Sequence, residues 1–334
     1  MAKIRPDHAV AQNVAGRLVG AAADGLMTYT GSVGFVGLGG MGSGVVKNLL
    51  AGSVPVLVLD IRPEVVETAI ERGARAAQSV SDLAANCDVL MVCVNSAADS
   101  ESLILGVLDH LGPGKIVVEH TTTNPESIAR LDAAVRATGA EFAEAPMTRT
   151  PIHADRGEVN ILYGGSADLL EKLRPLFDCY AENIFHVGPL THAIKLKLIH
   201  NYIAFANVAS WCEGFALAAK EGLDMTQVID IISAAGGKSG MMDLYGRSTL
   251  ERDFEPLMSL ANATKDVGYY VDWLKSAGLP AFMADAVHQT YALAAIMGHA
   301  DEGCTAVIKA YESLSGVEAR LPERDQTRET SGTD

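Results

Sequence analysis

The first half of the chain, from Val33 to Gly188, alternates short apolar runs with amphipathic helical patterns. Many of the apolar runs are rich in Val, Leu and Ile, which is typical of strands buried on both faces of a parallel sheet. The predicted strands are Val33–Val36, Val54–Leu59, Val89–Val94, Lys115–Glu119, Glu141–Glu144, Asn160–Tyr163 and Asn183–His186. Strands that alternate with helices predict an α/β fold with a doubly wound parallel sheet.

The pattern changes after Gly188 and Pro189, where apolar residues recur at helical spacing. Residues 191–220 contain a single helix breaker, Gly214, and predict one long helix. Further helices are predicted at Met225–Ala235, Asp253–Gly278 and Ala281–Gly298, whereas the glycine-containing stretch 236–242 predicts a loop. The second half is therefore expected to be all-helical and joined to the sheet by the long helix.

These patterns divide the chain into four segments. They are an Ala-rich N-terminal extension (residues 1–30), the α/β domain (31–190), the helical domain (191–316) and a polar, disordered tail (317–334).

Composition and charge exclude several kinds of partner. The chain has 334 residues, and its formal net charge of −15 disfavours nucleic acid and anionic membranes, because both repel an acidic protein. No apolar run reaches the roughly 18 residues that a membrane helix needs, and the first 30 residues lack the apolar core of a secretory signal. The five cysteines form no CxxC pair and the histidines show no ligand spacing, which predicts a cytoplasmic protein without a metal site.

The stretch VGFVGLGGMGSGVVKNLL, residues 33–50, places a glycine-rich turn between the first strand and the first helix. Gly37, Gly39 and Gly42 fill the GxGxxG positions of a dinucleotide-binding turn. Gly37 permits the tight turn, Gly39 lets a pyrophosphate approach the backbone, and Gly42 lets the helix pack close to the strand. The phosphates would then meet the N–H groups at the start of the helix. The predicted cofactor contacts in this turn are Gly37, Leu38, Gly39, Gly40, Met41 and Gly42.

Two further positions bear on the cofactor. Asp60 ends the second strand about 20 residues after the glycines, where a carboxylate accepts hydrogen bonds from the adenosine ribose and repels a 2′-phosphate. We therefore predict NAD, with NADP as the alternative because Arg62 is nearby and a plain turn at Asp60 as the structural alternative. Asn95 follows the strand 89–94 and is expected beside the cofactor at the carboxyl edge of the sheet.

Five blocks in order resemble the β-hydroxyacid dehydrogenase family, related to 3-hydroxyisobutyrate dehydrogenase. They are GLGGMGSGVVKNLLAGS, VVEHTTTNPES, EAPMTRTP, GPLTHAIKLKLIHNY and LMSLANATKDVGYY, and the resemblance covers roughly residues 33–310. It implies a Rossmann domain, a helical domain for substrate binding and dimerisation, and an active site between them. It also implies NAD(P)-dependent oxidation of a CH–OH group in a homodimer or homotetramer.

The resemblance places the catalytic lysine at Lys197 rather than Lys195. Asn201 follows Lys197 at i+4, so both residues lie on one face of the long helix and can address one substrate. A lysine ammonium can donate a proton to the alkoxide formed by hydride addition, and the amine can accept it in the reverse direction. Burial and a second positive charge are expected to lower the pKa of Lys197 toward the working range.

The family pattern assigns three further positions. Lys265, in the Lys-Asp pair, is expected to contact the cofactor, and Thr122 to contact either the substrate or the nicotinamide ribose. His200 occupies a position where the family usually has Asn. It is interpreted as either a second titrating group or a packing residue.

The loop Thr148-Arg149-Thr150 replaces the family's Ser-Gly-Gly and is expected to bind the anionic group of the substrate. It resembles a subgroup that contains 3-sulfolactaldehyde reductase, also active on succinic semialdehyde, in which an arginine fork would meet a sulfonate. The structural alternative is that Arg149 forms an ion pair with Asp155 or Glu158.

Other functions stay open at this point. A carboxylate enzyme of the 3-hydroxyisobutyrate or tartronate semialdehyde type shares the same motifs. An imine reductase shares the architecture but usually lacks the lysine, so Lys197 argues against it. A non-catalytic NAD-binding interaction module is the alternative from another functional class, and the combination of Lys197, Asn201 and Lys265 argues against it.

Overall fold

The computed structural model describes residue 29 and residues 31–322. Most of the predicted N-terminal extension and residues 323–334 of the predicted tail lie outside the described residues. Within the described part, strands end at Gly188 and the long helix begins at His192, on either side of the predicted domain boundary.

The first half folds around one sheet whose nine strands, among the described residues, are all contributed by residues 33–188. The strands are β1 (Val33–Val36), β2 (Val56–Leu59), β3 (Arg75–Ala76), β4 (Val89–Val92), β5 (Ile116–Glu119), β6 (Glu141–Glu144), β7 (Met147–Thr148), β8 (Val159–Gly164) and β9 (Ala181–Gly188). The first six lie in the order β3-β2-β1-β4-β5-β6 and pair in parallel, with Val33 opposite Val56 and Val89. This is the doubly wound Rossmann order, which confirms the predicted fold class.

The sheet departs from the parallel arrangement at its far edge. β8 pairs antiparallel with both β6 and β7, and β9 then runs parallel to β8. Only a six-residue helix separates β7 from β8, and so short a connection returns the chain antiparallel because a parallel return needs a longer crossover.

Helices cover both faces of this sheet. They are α1 (Gly40–Ala51), α2 (Pro63–Glu71), α3 (Val80–Ala85), α4 (Ala97–Leu105), α5 (Pro125–Ala137), α6 (Pro151–Arg156) and α7 (Ala167–Phe177). Most start at local signals: the side chains of Ser79, Ser96, Asn124 and Ser166 each accept a backbone N–H of the first turn, and prolines open α2, α5 and α6.

The second half is all-helical in the described residues, as predicted. Its helices are α8 (His192–Lys220), α9 (Met225–Ala234), α10 (Gly240–Leu250), α11 (Leu260–Ser276), α12 (Phe282–Ala294) and α13 (Ile308–Ser315). The predicted loop at 236–242 is wrong from Gly240 onward, because the Ser239 side chain caps α10 by accepting the N–H of Met242. The predicted helix 253–278 begins only at Leu260, where Ser259 provides the cap.

α8 belongs to two hydrophobic cores. Near its start, Ile194 and Leu198 pack with the sheet residues on one face of the Rossmann domain. Further along, Phe205, Val208 and Phe215 lie in the core of the helical domain. The helix therefore fixes the sheet and the helical domain relative to each other.

The predicted disorder of the tail is wrong for residues 317–322. Ala319 is fully buried, its N–H donates to Glu312 at 2.9 Å, and the N–H of Leu321 donates to the Leu250 carbonyl at 2.9 Å. These contacts pack the segment on α10 and α13. The polar composition of the tail gave no indication that Ala319 and Leu321 would make them.

No helix among residues 31–322 is long and apolar enough to cross a membrane. The same described part of the chain contains no cluster of three or more His, Cys, Asp or Glu side chains arranged to hold a metal ion.

Candidate active site

The glycine turn between β1 and α1 has the geometry that a dinucleotide requires. Gly37 has φ +96°, and a Cβ there would lie 2.1 Å from the Cys93 carbonyl oxygen. A Cβ on Gly42 would lie 2.0 Å from the Gly37 carbonyl oxygen, so glycine lets α1 approach the turn. At Gly39, by contrast, an added Cβ would meet no atom within 4 Å. Gly37 and Gly42 are therefore required by packing, whereas Gly39 borders open space.

The start of α1 offers free donors beside that space. Gly39 is the N-cap residue, and no side chain accepts the first N–H groups of the helix. Uncapped N–H groups and the positive end of the helix dipole suit a pyrophosphate. The turn therefore fits an NAD or NADP cofactor, with Gly39, Gly40, Met41 and Gly42 lining the cavity.

Asp60, directly after β2, stabilises the glycine turn through hydrogen bonds. Its Oδ2 accepts the Leu38 N–H at 2.6 Å, and its Oδ1 accepts the Arg62 N–H at 2.9 Å and the Arg62 Nε–H at 3.2 Å. Burial alone would raise the pKa of Asp60, but the hydrogen bonds from Arg62 and Leu38 hold it below its usual value. The Leu38 N–H is thus already hydrogen-bonded to Asp60. The guanidinium of Arg62 lies beside the Asp60 carboxylate, which is predicted to bind ribose.

A cavity of about 640 Å³ lies between the sheet edge and the helical domain. The predicted site residues that line it are Gly39, Gly40, Met41, Gly42, Asn95, Thr122, Thr148, Arg149, Thr150, Lys197, Asn201 and Lys265. Gly37, Leu38 and Asp60 are not among the residues that line the cavity. Residues separated by more than two hundred positions along the chain are therefore brought to one cleft by α8.

Lys197 projects from α8 into this cleft. Its side chain is half-buried, and Nζ donates to the Met147 carbonyl oxygen at 2.6 Å. Burial lowers the pKa of Lys197 to about 8; Lys265 adds to the lowering and Asp266 opposes it. Lys195, two residues earlier, instead donates to the Thr191 hydroxyl at 3.0 Å. Lys197 is thus a lysine that can exchange a proton near neutral pH.

Asn201 is part of a buried polar network. Its Nδ2 donates to Asp266 Oδ2 at 2.7 Å, and Asp266, only 1% exposed, lies 3.0 Å from the Lys265 ammonium. Lys265 Nζ in turn donates to the Thr122 carbonyl oxygen at 3.4 Å. The network joins α8 and α11 to the loop after β5, which brings Asn201, Lys265 and Thr122 to one wall of the cleft.

His200 faces the same cleft beside this network. Its Nδ1 lies 3.0 Å from Asn201 Oδ1, and this contact suits Nδ1–H as the donor. Burial, followed by the charge of Lys197, lowers the pKa of His200. A neutral imidazole with its proton on Nδ1 can therefore donate to Asn201.

The predicted substrate loop is held by its own contacts. Arg149 has φ +77°, a left-handed conformation that favours glycine, which explains why the family pattern has glycine at this position. Its guanidinium forms an ion pair with Glu182 and donates to the Glu158 carbonyl oxygen at 2.6 Å. The Thr148 hydroxyl accepts from Asn160 Nδ2 at 3.3 Å, and the Thr150 hydroxyl lies 2.8 Å from His153 Nδ1.

The acidic partner that the structural alternative predicted for Arg149 is wrong. The structural alternative named Asp155 or Glu158 as its partner, but Asp155 pairs with Lys47, and Glu158 contributes its backbone carbonyl. Glu182 lies on β9, next to β8, and no spacing in the sequence announces this neighbour.

Sequence reasoning missed several cleft residues. Asp266 belongs to the Lys-Asp pair of the sequence pattern, but its hydrogen bond with Asn201 is evident only in the folded structure. Met241, Leu244 and Tyr245 of α10 also line the cavity, and their stretch was expected to begin as a loop. Asn160 orients Thr148 from β8, and a lone Asn in a strand carries no signal in the sequence.

A cleft lined by a glycine turn that fits a pyrophosphate and by a lysine whose pKa is lowered to about 8 is typical of NAD(P)-dependent dehydrogenases that act on CH–OH groups, and this protein is one of them. Two family models cover most of the chain: the NAD binding domain of 6-phosphogluconate dehydrogenase matches residues 32–188, and the NAD-binding domain of NADP-dependent 3-hydroxyisobutyrate dehydrogenase matches residues 192–311. The chain belongs to the 3-hydroxyisobutyrate dehydrogenase-like β-hydroxyacid dehydrogenase family.

Curated relatives and a solved structure agree with this family. L-threonate dehydrogenase of Cupriavidus necator is 28% identical over 85% of this chain and 97% of its own length. The cytokine-like nuclear factor N-PAC of Homo sapiens is 29% identical over 87% of this chain, which spans about half (53%) of that protein. The crystal structure of 3-hydroxyisobutyrate dehydrogenase from Salmonella typhimurium aligns with a TM-score of 0.77 at 27% identity, covering 83% of this chain and 99% of that one.

Proposed function

We propose that the protein catalyses reversible hydride transfer between NAD(H) and a short anionic β-hydroxy acid or its aldehyde, with Lys197 as proton donor and acceptor. The observation that carries the proposal is the lysine itself. Its ammonium projects into a cleft that also contains the glycine turn, and its pKa is lowered to about 8.

The chemistry divides between the cofactor and the side chains. When bound, the nicotinamide supplies the hydride for reduction or takes it up in oxidation. Lys197 donates its proton to the substrate oxygen during reduction and accepts that proton during oxidation. Asn201, held by Asp266, orients the same oxygen, and Lys265 with Thr122 forms the wall on the cofactor side. Asn95, at the end of β4, borders the cofactor from the sheet.

We infer that NAD is preferred over NADP. Asp60 keeps its carboxylate ionised, and an ionised carboxylate at the end of β2 repels a 2′-phosphate. Arg62 is paired with this carboxylate, so its charge is offset where a phosphate would approach. Comparing turnover with NADH and NADPH tests this preference, and equal efficiency would contradict it.

The anionic group of the substrate is proposed to meet the loop Thr148-Arg149-Thr150. The Arg149–Glu182 ion pair favours a carboxylate substrate, of the 3-hydroxyisobutyrate or tartronate semialdehyde type, over a sulfonate. A sulfonate substrate of the 3-sulfolactaldehyde type would need Arg149 to leave Glu182. Breaking a partly exposed ion pair costs little free energy, so the sulfonate and the succinic semialdehyde alternatives belong in the same test.

The test is a panel of short aldehydes and hydroxy acids assayed by the absorbance of reduced nicotinamide. The panel includes methylmalonate semialdehyde, tartronate semialdehyde, succinic semialdehyde, 3-sulfolactaldehyde, L-threonate and L-serine. The Arg149→Gly variant separates the two anion classes: a much larger loss with the sulfonate than with carboxylates would assign Arg149 to sulfonate binding.

Lys197→Ala should lower turnover on the best substrate by about two to four orders of magnitude, because the proton donor is removed. Lys195→Ala is the matched control, since Lys195 lies on the same helix and bonds only to Thr191 in the described structure. A loss below about tenfold in Lys197→Ala, with both variants folded, would reject the role of Lys197.

A non-catalytic NAD-binding module is the second candidate, and the similarity to N-PAC, a protein named as a nuclear factor, is the observation that favours it. Binding of NADH without turnover of any compound in the panel would support this alternative. The lowered pKa of Lys197 and its place in the cleft favour the enzyme.

We also propose that the protein is a homodimer or homotetramer that pairs through the helical domain. Large apolar side chains on that domain are exposed: Leu196, Ile199, Ile203 and Leu217 on α8, Phe282 and Met283 at the start of α12, and Ile296 after its end. Exposed apolar patches of this kind are typical of protein–protein interfaces.

A further inference from the structure

The long helix α8 begins without a cap of its own. Thr191 is the N-cap residue, yet it has φ +72° and ψ −13°, a left-handed conformation, and its side chain accepts no N–H of the first turn. Its hydroxyl instead accepts from Lys195. The first N–H groups of a helix need acceptors, so those of α8 must be satisfied from another part of the fold.

Glu144 supplies those acceptors from the sheet. Its Oε1 accepts the Ala193 N–H at 3.0 Å, and its Oε2 accepts the Ile194 N–H at 3.1 Å. All three residues are fully buried, so water cannot substitute for the carboxylate. A carboxylate at this end also matches the positive end of the helix dipole.

The position of Glu144 is set by its neighbours in the sheet. It is the last residue of β6 and pairs with Gly164 of β8. A Cβ on Gly164 would lie 2.3 Å from Glu144 Oε1, so only glycine at this position leaves room for the carboxylate. The sheet therefore holds the side chain over the head of α8.

The same segment also holds the catalytic ammonium. Three residues after Glu144, the Met147 carbonyl oxygen accepts the Lys197 Nζ at 2.6 Å. The Pro146 carbonyl between them accepts the Leu162 N–H at 2.9 Å, which ties the segment to β8. Residues 144–147 thus hold α8 through two sets of hydrogen bonds. One is accepted from the backbone N–H groups of its first turn, and the other from the side chain of Lys197.

We propose that Glu144 is a positioning residue: its carboxylate replaces the missing cap of α8 and thereby places Lys197 at the cleft. The inference rests on the proposed role of Lys197 as proton donor. Without the cap, the first turn of α8 loosens and the ammonium loses its fixed distance to the substrate oxygen, while the glycine turn that seats the cofactor is untouched.

Glu144→Gln tests this role. The glutamine oxygen can accept only one of the two N–H groups, and its NH₂ group faces the other one. We expect kcat to fall about tenfold to a hundredfold, because one buried backbone N–H of the first turn is left without an acceptor. The Kd of NADH, measured by fluorescence, should stay within about twofold, because the cofactor seat lies on α1 and β2.

Glu312→Gln is the matched control for stability. Glu312 is also a buried carboxylate that accepts a backbone N–H, from Ala319 at 2.9 Å, but it lies on α13 in the helical domain and pairs with Arg252. We expect this variant to lower Tm without changing kcat. A folded Glu144→Gln enzyme with kcat within threefold of wild type would overturn the proposal, and so would parallel losses of kcat in both variants.

Hydrogen exchange separates this inference from the proposed function. In Glu144→Gln the amides of residues 192–197 should exchange at least about tenfold faster, whereas those of α11 should not change. If wild type turns over nothing in the panel, the proposed function fails while faster exchange still supports the cap. Unchanged exchange at 192–197 would refute the cap whatever the activity.

Discussion

Lys197 shows how the surroundings of a side chain change its acid–base properties. An exposed lysine has a pKa near 10.4 and is almost fully protonated at neutral pH. Here burial lowers the pKa to about 8 and the neighbouring ammonium of Lys265 adds to the effect, while Asp266 limits it. The balance leaves a group that is mostly protonated at pH 7 and yet able to give up its proton.

The pKa of Lys197 predicts opposite pH profiles for the two directions. Reduction needs the ammonium, so its kcat should be flat below about pH 8 and fall about tenfold per pH unit above it. Oxidation needs the amine, so its kcat should rise toward pH 8 and level off above it. Initial rates measured in both directions across this range check the prediction.

The residual activity of Lys197→Ala provides the control for these profiles. It should lose the inflection near pH 8 in both directions. An unchanged inflection in the variant would assign the titration to a group other than Lys197.

At the scale of the elements, the turn between β1 and α1 separates two uses of glycine. Gly37 and Gly42 are glycine because a Cβ would collide with a backbone carbonyl oxygen, that of Cys93 at Gly37 and that of Gly37 at Gly42. Gly39 has ordinary backbone angles, φ −67° and ψ −173°, and its Cβ position is empty. The protein's own packing therefore explains two of the three glycines, and a ligand is the remaining explanation for the third.

A pair of alanine substitutions tests this distinction. Gly42→Ala should lower the free energy of unfolding by about 1–3 kcal/mol, because the new methyl group overpacks the turn. Gly39→Ala should change it by less than about 0.5 kcal/mol. The same Gly39→Ala variant should weaken NADH binding at least about tenfold, since its methyl group occupies the space of the pyrophosphate.

Thermal unfolding and NADH fluorescence titration measure the two effects separately. Wild-type affinity in Gly39→Ala would mean that the pyrophosphate does not approach this residue. A Gly42→Ala variant as stable as wild type would contradict the packing explanation.

At the scale of the whole molecule, α8 determines what the two domains can do together. Its first turns pack on the sheet and its remainder on the helical domain, so the cleft has one rigid wall shared by both. Its outer face still exposes Leu196, Ile199 and Ile203 to solvent. A helix buried on one side and apolar on the other is expected to be covered by a second copy of the chain.

We expect sedimentation to give a mass of two or four chains. Phe282, at the start of α12, is 81% exposed, and Phe282→Glu should shift the protein toward monomer because a charge cannot be buried unpaired in an apolar interface. Ile70→Glu, on α2 of the Rossmann domain, is the control and should leave the mass unchanged. A monomeric wild type would refute the proposed assembly.

The features that could be predicted from the amino-acid sequence are those that depend on local pattern. The strands and helices of the Rossmann domain follow from the alternation of apolar runs, the glycine turn follows from GxGxxG after a strand, and the Lys197–Asn201 pair follows from i+4 spacing on a helix. Each involves residues within a few turns of one another, so their geometry is set before the rest of the chain is placed.

The acidic side chains that stabilise the site could be identified only from the folded structure. Glu144 accepts a backbone N–H of α8 that lies 49 positions later in the chain, and Asp266 accepts a hydrogen bond from Asn201, 65 positions earlier. Glu182, on β9, forms an ion pair with Arg149. Buried charges take whatever partner the packing brings within hydrogen-bond distance, and no local spacing encodes that choice. The packed segment 317–322 departed from expectation for the same reason, because the Leu250 carbonyl that accepts the Leu321 N–H lies far earlier in the chain.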